Sequence, residues 1–273
     1  MLWFMEGSCF LPIFLVIWSS STFIVSYIVA LLRHDVDVIF PYISDTGAEP
    51  PESSIFGIMT TISAFAGVTT MFARYKYVEK INSMIRKMNP RLNMAALWIG
   101  CLSCLGMCFV ATFQVTVEPL VHDIAALCFF VSGVIYVIVQ SVISYKIHPY
   151  GSSMPVCHIR AAIATFSLLA AFPMIVCAAF VKTPGMHWKI HDKEYELHVV
   201  SAVSEWMVAF GFVFFFFTYI REFKVILSFL TPESNFHIMS VNFPSIHLHV
   251  CPFRFFLYII LFVFLMKSIT VRK

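Results

Sequence analysis

Charge is what this sequence has least of. Asp, Glu, Lys and Arg together make up 12% of its 273 residues, against 60% hydrophobic side chains and a mean hydropathy of +0.86. A soluble domain carries about 25% charge, so no water-facing surface can be built from this composition and lipid must be the solvent for much of the chain. The net charge of +3 is too small to point to nucleic acid. Also missing is any Asn-x-Ser/Thr sequon, so no N-glycan can mark a side of the membrane. The segment before the first apolar stretch holds Glu6 and no Lys or Arg. Without that basic lead the first stretch reads as a membrane helix that is kept, not a cleaved signal.

What is present is apolar and aromatic. Phe alone supplies 30 residues, including the run Phe214-Phe215-Phe216-Phe217, which would aggregate in water and is tolerated against lipid. Six stretches approach or exceed the ~20 residues that cross a bilayer, at roughly 10–32, 54–73, 93–113, 120–145, 159–181 and 198–220. Backbone in lipid must bond to itself, so each is expected to be a helix. The expected fold is an all-α six-helix transmembrane bundle over residues 1–224. Pro173 is expected to kink the fifth span. Ser63-xxx-Gly67 and Gly100-xxx-Cys104 are expected to allow close packing. Residues 225–273 form an atypical tail whose apolar segment 253–266 is too short for a span and fits an interfacial or re-entrant placement.

Lys and Arg set the orientation. The loop after the second span carries Arg74, Lys76, Lys80, Arg86, Lys87 and Arg91, and Lys146, Arg160, Arg221 and Lys224 fall on the same side. The opposite side has Arg33, Lys182, Lys189 and Lys193. Ten against four puts the basic side, the amino terminus and the end of the sixth span in the cytosol. The first loop, Arg33 to Ser53, then faces the lumen or the outside with five carboxylates, Asp35, Asp37, Asp45, Glu49 and Glu52. None of the eight cysteines falls in a loop on that side, so no disulfide framework is expected. Cys101, Cys104 and Cys108 have metal-like spacing but no His or second pair beside them, and read as small packing residues. No metal and no cofactor are expected.

Four features bear on chemistry. His198, Ser201 and Glu205 lie on one face of the sixth helix, and His122-Asp123 enter the fourth from the same side. Together these five are a candidate polar layer able to bind, relay protons or act on a lipid headgroup; the alternative is a set of interfacial residues and one helix-to-helix hydrogen bond. Asp45-Thr46-Gly47 matches an aspartic-protease triplet, yet that chemistry needs two such carboxylates, and the chain has one triplet. A turn fits better. The six basic residues from Arg74 to Arg91 are either a solvated topology signal or an attraction for anionic lipid, and Tyr75-Lys76-Tyr77-Val78 fits a tyrosine-based sorting pattern. Ser132, Tyr136, Gln140 and Ser144 make one face of the fourth helix, which reads as a packing stripe.

Several strings occur in order: Pro41-Tyr42-Ile43-Ser44-Asp45-Thr46-Gly47, Pro50-Pro51-Glu52-Ser53, Phe56-Gly57, Arg74-Tyr75-Lys76, Ala111-Thr112-Phe113-Gln114, His122-Asp123, Gln140 to Lys146, Cys157-His158-Ile159-Arg160, Pro173 to Ala178, His198 to Ala202 and Glu205-Trp206. Over residues 1–224 the chain resembles the Frag/DRAM/Sfk family of six-span proteins, and most resembles its damage-regulated autophagy modulators. The resemblance implies a lysosomal or endosomal multi-pass protein that promotes autophagy without established catalysis. It implies membrane lipids, and autophagy or lysosomal proteins at the cytosolic loops, as partners. Wider relatives act in lipid-linked processes, so the alternative expectation is a lipid-binding, lipid-moving or lipid-remodelling protein using the polar layer. Pro41, Tyr42, Ser44, Asp45 and Gly47 carry the family signature, and that loop is expected to lid the polar layer.

Overall fold

The computed structural model describes residues 10–181 and 185–223. The tail 225–273, with its apolar segment 253–266, lies outside the described residues. Six helices account for the architecture: α1 (Phe10–Arg33), α2 (Glu52–Ile85), α3 (Pro90–Thr112), α4 (Pro119–Lys146), α5 (Met154–Phe180) and α6 (Tyr195–Phe217). All six are long and apolar enough to cross a membrane, the last continuing as a candidate span to Phe223. Among the described residues there is no strand.

Local chemistry sets several ends. Asn89 caps α3 by accepting the Arg91 backbone N–H, and Pro90 sits at the first helical position, where a missing N–H costs nothing. Pro119 and Pro155 likewise sit at the starts of α4 and α5, there without a side-chain cap. α2 stops at Arg86, which takes the left-handed conformation with φ 50°. The Asn82 side chain then grips both sides of Met88, donating to its carbonyl and accepting its N–H.

Neighbours in sequence pack antiparallel: α3 with α4, α5 with α6, α2 with α3 and α1 with α2, while α1 also closes onto α6. Small residues bring the axes together. A Cβ on Gly106 of α3 would lie 2.8 Å from the Ala125 carbonyl oxygen and the Phe129 nitrogen of α4. One on Gly67 of α2 would meet the Cys104 sulfur of α3 at 3.1 Å, so α2 and α3 approach closely at residues of the two expected small-residue motifs. The core holds Met71, Leu97, Phe130, Tyr136, Val208, Phe212 and Phe215. Ile17, Leu32, Leu169, Phe172 and Phe214 point outward, as a lipid-facing surface allows.

Two spans depart from their expected limits. α2 runs to Ile85, so most of the expected basic loop 74–91 is helix, and α5 starts at Met154, with Arg160 well inside it. The apolar run of the second span stops at Arg74, yet the helix continues; Arg74 and Arg160 both find buried partners, described next. α5 carries Pro173 within its length.

Candidate functional site

The acidic loop between α1 and α2 folds back onto the bundle. Asp45, Thr46 and Gly47 form a single 3-10 turn, all three buried. Thr46 Oγ1 donates to the Ile43 carbonyl at 2.6 Å and meets Ser26 Oγ of α1 at 2.9 Å. The triplet is thus a pinned turn. Ile43 donates its backbone N–H to Glu205 Oε2 at 2.9 Å, across 162 residues of sequence. Pro41 accepts from Trp206 Nε1 at 2.9 Å. The Tyr42 ring stands edge-on to His198, centroids 4.8 Å apart, and Trp188 stacks on the other ring contact of His198 at 4.6 Å. Asp37 takes the Trp188 backbone N–H and pairs with His187, which ties the first loop to the segment entering α6.

Two α6 residues of the expected layer meet the signature loop, Glu205 at Ile43 and His198 at Tyr42, while Ser201 bonds to α5. Glu205 holds the Ile43 amide, Ser201 donates to the Met174 carbonyl of α5 at 2.8 Å, and His198 is buried with Nδ1 lacking a hydrogen-bond partner. The α4 pair is arranged differently. His122 is buried against the Phe113 carbonyl at 2.7 Å, and Asp123 is exposed. Asp123 reaches the loop only through space, as a like charge near Asp45. α4 and α6 touch little compared with the sequential pairs, which is why the two halves of the layer stay apart. Among the described residues no group of three His, Cys, Asp or Glu is placed to hold a metal ion.

Burial controls the loop's ionisation. It pushes the Asp45 carboxyl up from 3.8 to about 7, helped by Asp123 and opposed by the turn's backbone hydrogen bond. It also pushes the Tyr42 phenol up, with Glu205 and Asp45 adding to the effect.

A second polar centre lies at the opposite, basic end, and sequence reading missed it. Arg74 of α2 and Arg160 of α5 are both fully buried. Glu222, past the end of α6, binds both: Arg74 Nη1 at 2.5 Å, Arg160 Nη1 at 2.9 Å and Arg160 Nη2 at 3.0 Å. Ser144 accepts from both arginines, Ser152 donates to Glu222, and Thr218 accepts from Arg160 Nε. Both guanidinium groups lie within cation–π range of the Tyr219 ring, at 5.1 and 4.6 Å. Arg74 is thus not part of a lipid-facing basic surface: its charge is spent on Glu222. Lys76, Lys80, Arg86, Lys87 and Arg91 are exposed. Tyr75 and Val78 are buried in helix, so the tyrosine-based pattern is not an extended ligand. One signal points to this centre: the α4 stripe ends at Gln140 and Ser144, two polar residues facing inward beside Arg74 and Arg160.

The profile of the Frag1/DRAM/Sfk1/Cwh43P N-terminal domain matches residues 7–226. The human DNA damage-regulated autophagy modulator protein 1 is 47% identical over 235 residues, covering 86% of this chain and 99% of the relative. The human DNA damage-regulated autophagy modulator protein 2 is 38% identical over 245 residues, 87% and 91% of the two chains. A Xenopus laevis protein named modulator of macroautophagy TMEM150B-A is 28% identical over 201 residues, 73% and 79% of the two. No solved structure matches.

Proposed function

Because the chain belongs to the Frag1/DRAM/Sfk1/Cwh43P family, we propose that it is a non-enzymatic multi-pass regulator that promotes autophagy from lysosomal and endosomal membranes. The observation that carries this reading is the 47% identity, over nearly the whole relative, to a protein named as an autophagy modulator. The geometry of the polar layer supports the non-enzymatic part. Glu205 and Ser201 spend their hydrogen bonds on the Ile43 amide and the Met174 carbonyl, His122 on the Phe113 carbonyl. Groups so engaged hold a loop and two helices in place, which is the work of a scaffold. The amino terminus and the end of α6 face the cytosol in this reading, and the basic end meets membrane lipids and autophagy or lysosomal proteins.

The experiment is deletion and re-expression. Cells lacking the protein are expected to lose autophagic flux under stress and regain it with the wild type, which should sit with a lysosomal marker. Unchanged flux on deletion, or residence in another membrane, removes the proposal.

A second reading, binding or moving a lipid at the polar layer, rests on one observation: the buried, unpartnered His198 Nδ1 between two aromatic rings. A His198→Phe variant keeps the ring stack. Equal flux in that variant favours the scaffold; lost flux with unchanged folding favours the lipid reading.

A further inference from the structure

The turn between α2 and α3 encloses a cleft of about 490 Å³ whose lining includes Tyr75, Glu79, Ser83, Arg86 and Asn93. It is at the basic end, far from the acidic loop. α2 has 34 residues, about 50 Å of helix, against a hydrocarbon core of about 30 Å. The last turns of α2 therefore stand at headgroup depth, with Lys76, Glu79 and Lys80 exposed along them.

Three properties of the cleft restrict what fits. Asn93 is 3% exposed; its amide nitrogen donates to the Tyr75 carbonyl at 2.9 Å, and its oxygen has no partner. A buried carbonyl without a donor is costly, so the cleft calls for a ligand that donates. Glu79 lines the same space, accepting from Tyr75 and Lys76 with its own side chain half exposed. Arg86 supplies the opposite charge at the rim, exposed and held in left-handed backbone that glycine would occupy more cheaply. One buried acceptor, a half-exposed carboxylate at the mouth and one cation at the rim fit a primary ammonium joined by a short link to a phosphate.

We propose that this cleft binds a phosphoethanolamine headgroup, with the ammonium donating to Asn93 Oδ1 and Glu79 and the phosphodiester on the Arg86 guanidinium. A choline headgroup has no N–H to give, and a serine headgroup adds a carboxylate beside Glu79. The preference is therefore for ethanolamine over both. This site is independent of the autophagy reading and of the polar layer, and its test uses no cellular readout.

The full chain is reconstituted in nanodiscs of equal mole fractions of phosphatidylethanolamine, phosphatidylcholine and phosphatidylglycerol, and lipids retained after gentle delipidation are counted by native mass spectrometry. Ethanolamine lipid should be enriched about tenfold over choline lipid, the worth of one charge-assisted hydrogen bond. Arg86→Gly relieves the backbone and so keeps the fold, and Ser83→Trp fills the cleft while leaving Asn93, Glu79 and Arg86 in place; both should erase the enrichment. Arg221→Gln, an exposed cation on the same side, should keep it. In lipid-free detergent, binding of soluble glycerophosphoethanolamine assigns the site to the free headgroup, and its failure beside lipid enrichment assigns it to the membrane lipid. Equal retention of all three lipids, or enrichment that survives both cleft variants, overturns the proposal.

Discussion

At the scale of single residues, two carboxylates decide how the acidic loop sits. Glu205 gives the Ile43 amide its acceptor inside the bundle. Glu205→Gln leaves an oxygen in place and should dock the loop nearly as well. Glu205→Leu strands a buried N–H and should cost about 1–3 kcal/mol, read as faster hydrogen exchange over residues 41–47 and lower thermal stability in detergent. Asp45 acts through pH. Its carboxyl titrates near 3.8 when exposed and near 7 in the docked loop, so docking takes up a proton. A raised carboxylate pKa makes the docked state most favourable below about pH 4 and weakens it as pH rises through about 7. Protection factors of the loop amides should therefore climb on acidification across that window. Asp45→Asn should flatten most of that dependence; a loop equally protected at pH 5 and pH 8 in the wild type would refute this assignment. At the other end, Glu222→Ala leaves two fully buried guanidinium groups without their counter-charge, a loss of about 3–5 kcal/mol. Replacing Arg74, Arg160 and Glu222 together by apolar residues of similar size should recover most of it, as measured by thermal unfolding of the purified protein.

At the scale of elements, close helix contacts rest on glycine unequally. Gly106→Ala pushes a methyl into α4 backbone, which cannot step aside, and should destabilise by about 1–3 kcal/mol. Gly67→Ala meets a sulfur on a side chain that can shift by a few tenths of an ångström. Helix propensity there favours alanine by up to ~1 kcal/mol, so that variant should unfold close to wild type. These helices were largely legible in the sequence, because twenty apolar residues in lipid leave the backbone one solution. Their ends were not. Arg74 ends a hydropathic run on paper yet continues a helix in space, and both it and Arg160 pair with Glu222, 148 and 62 residues away in sequence. Pairing of that range has no local signature. The same limit applies to the acidic end. Spacing on α6 put His198, Ser201 and Glu205 on one face, but nothing local said that Ile43 would supply the hydrogen for Glu205 or that His122 would turn to Phe113.

At the scale of the whole molecule, six antiparallel helices put the acidic loop at one end and the α2–α3 turn at the other. The proposed orientation, argued from charge, puts the second of these in the cytosol. With only the plasma membrane permeabilised, an impermeant maleimide should label the Lys87→Cys variant above the background of the unsubstituted chain and leave Glu49→Cys unlabelled until the organelle membrane is opened; the reverse pattern inverts the orientation.

The buried ion cluster also sets a timetable for biosynthesis. Arg74 leaves the ribosome 148 residues before the glutamate that neutralises it, which at 5–20 residues per second is roughly 7–30 s. Through that interval a nascent bundle holds Arg74, joined by Arg160 for the last 62 residues, with no counter-ion. It is then a ready substrate for membrane chaperones and for the quality-control proteases that recognise exposed intramembrane charge. A chain stopped anywhere before its last helical turn never leaves that state, so premature termination close to Glu222 should yield a protein that is degraded rather than one that is merely shorter.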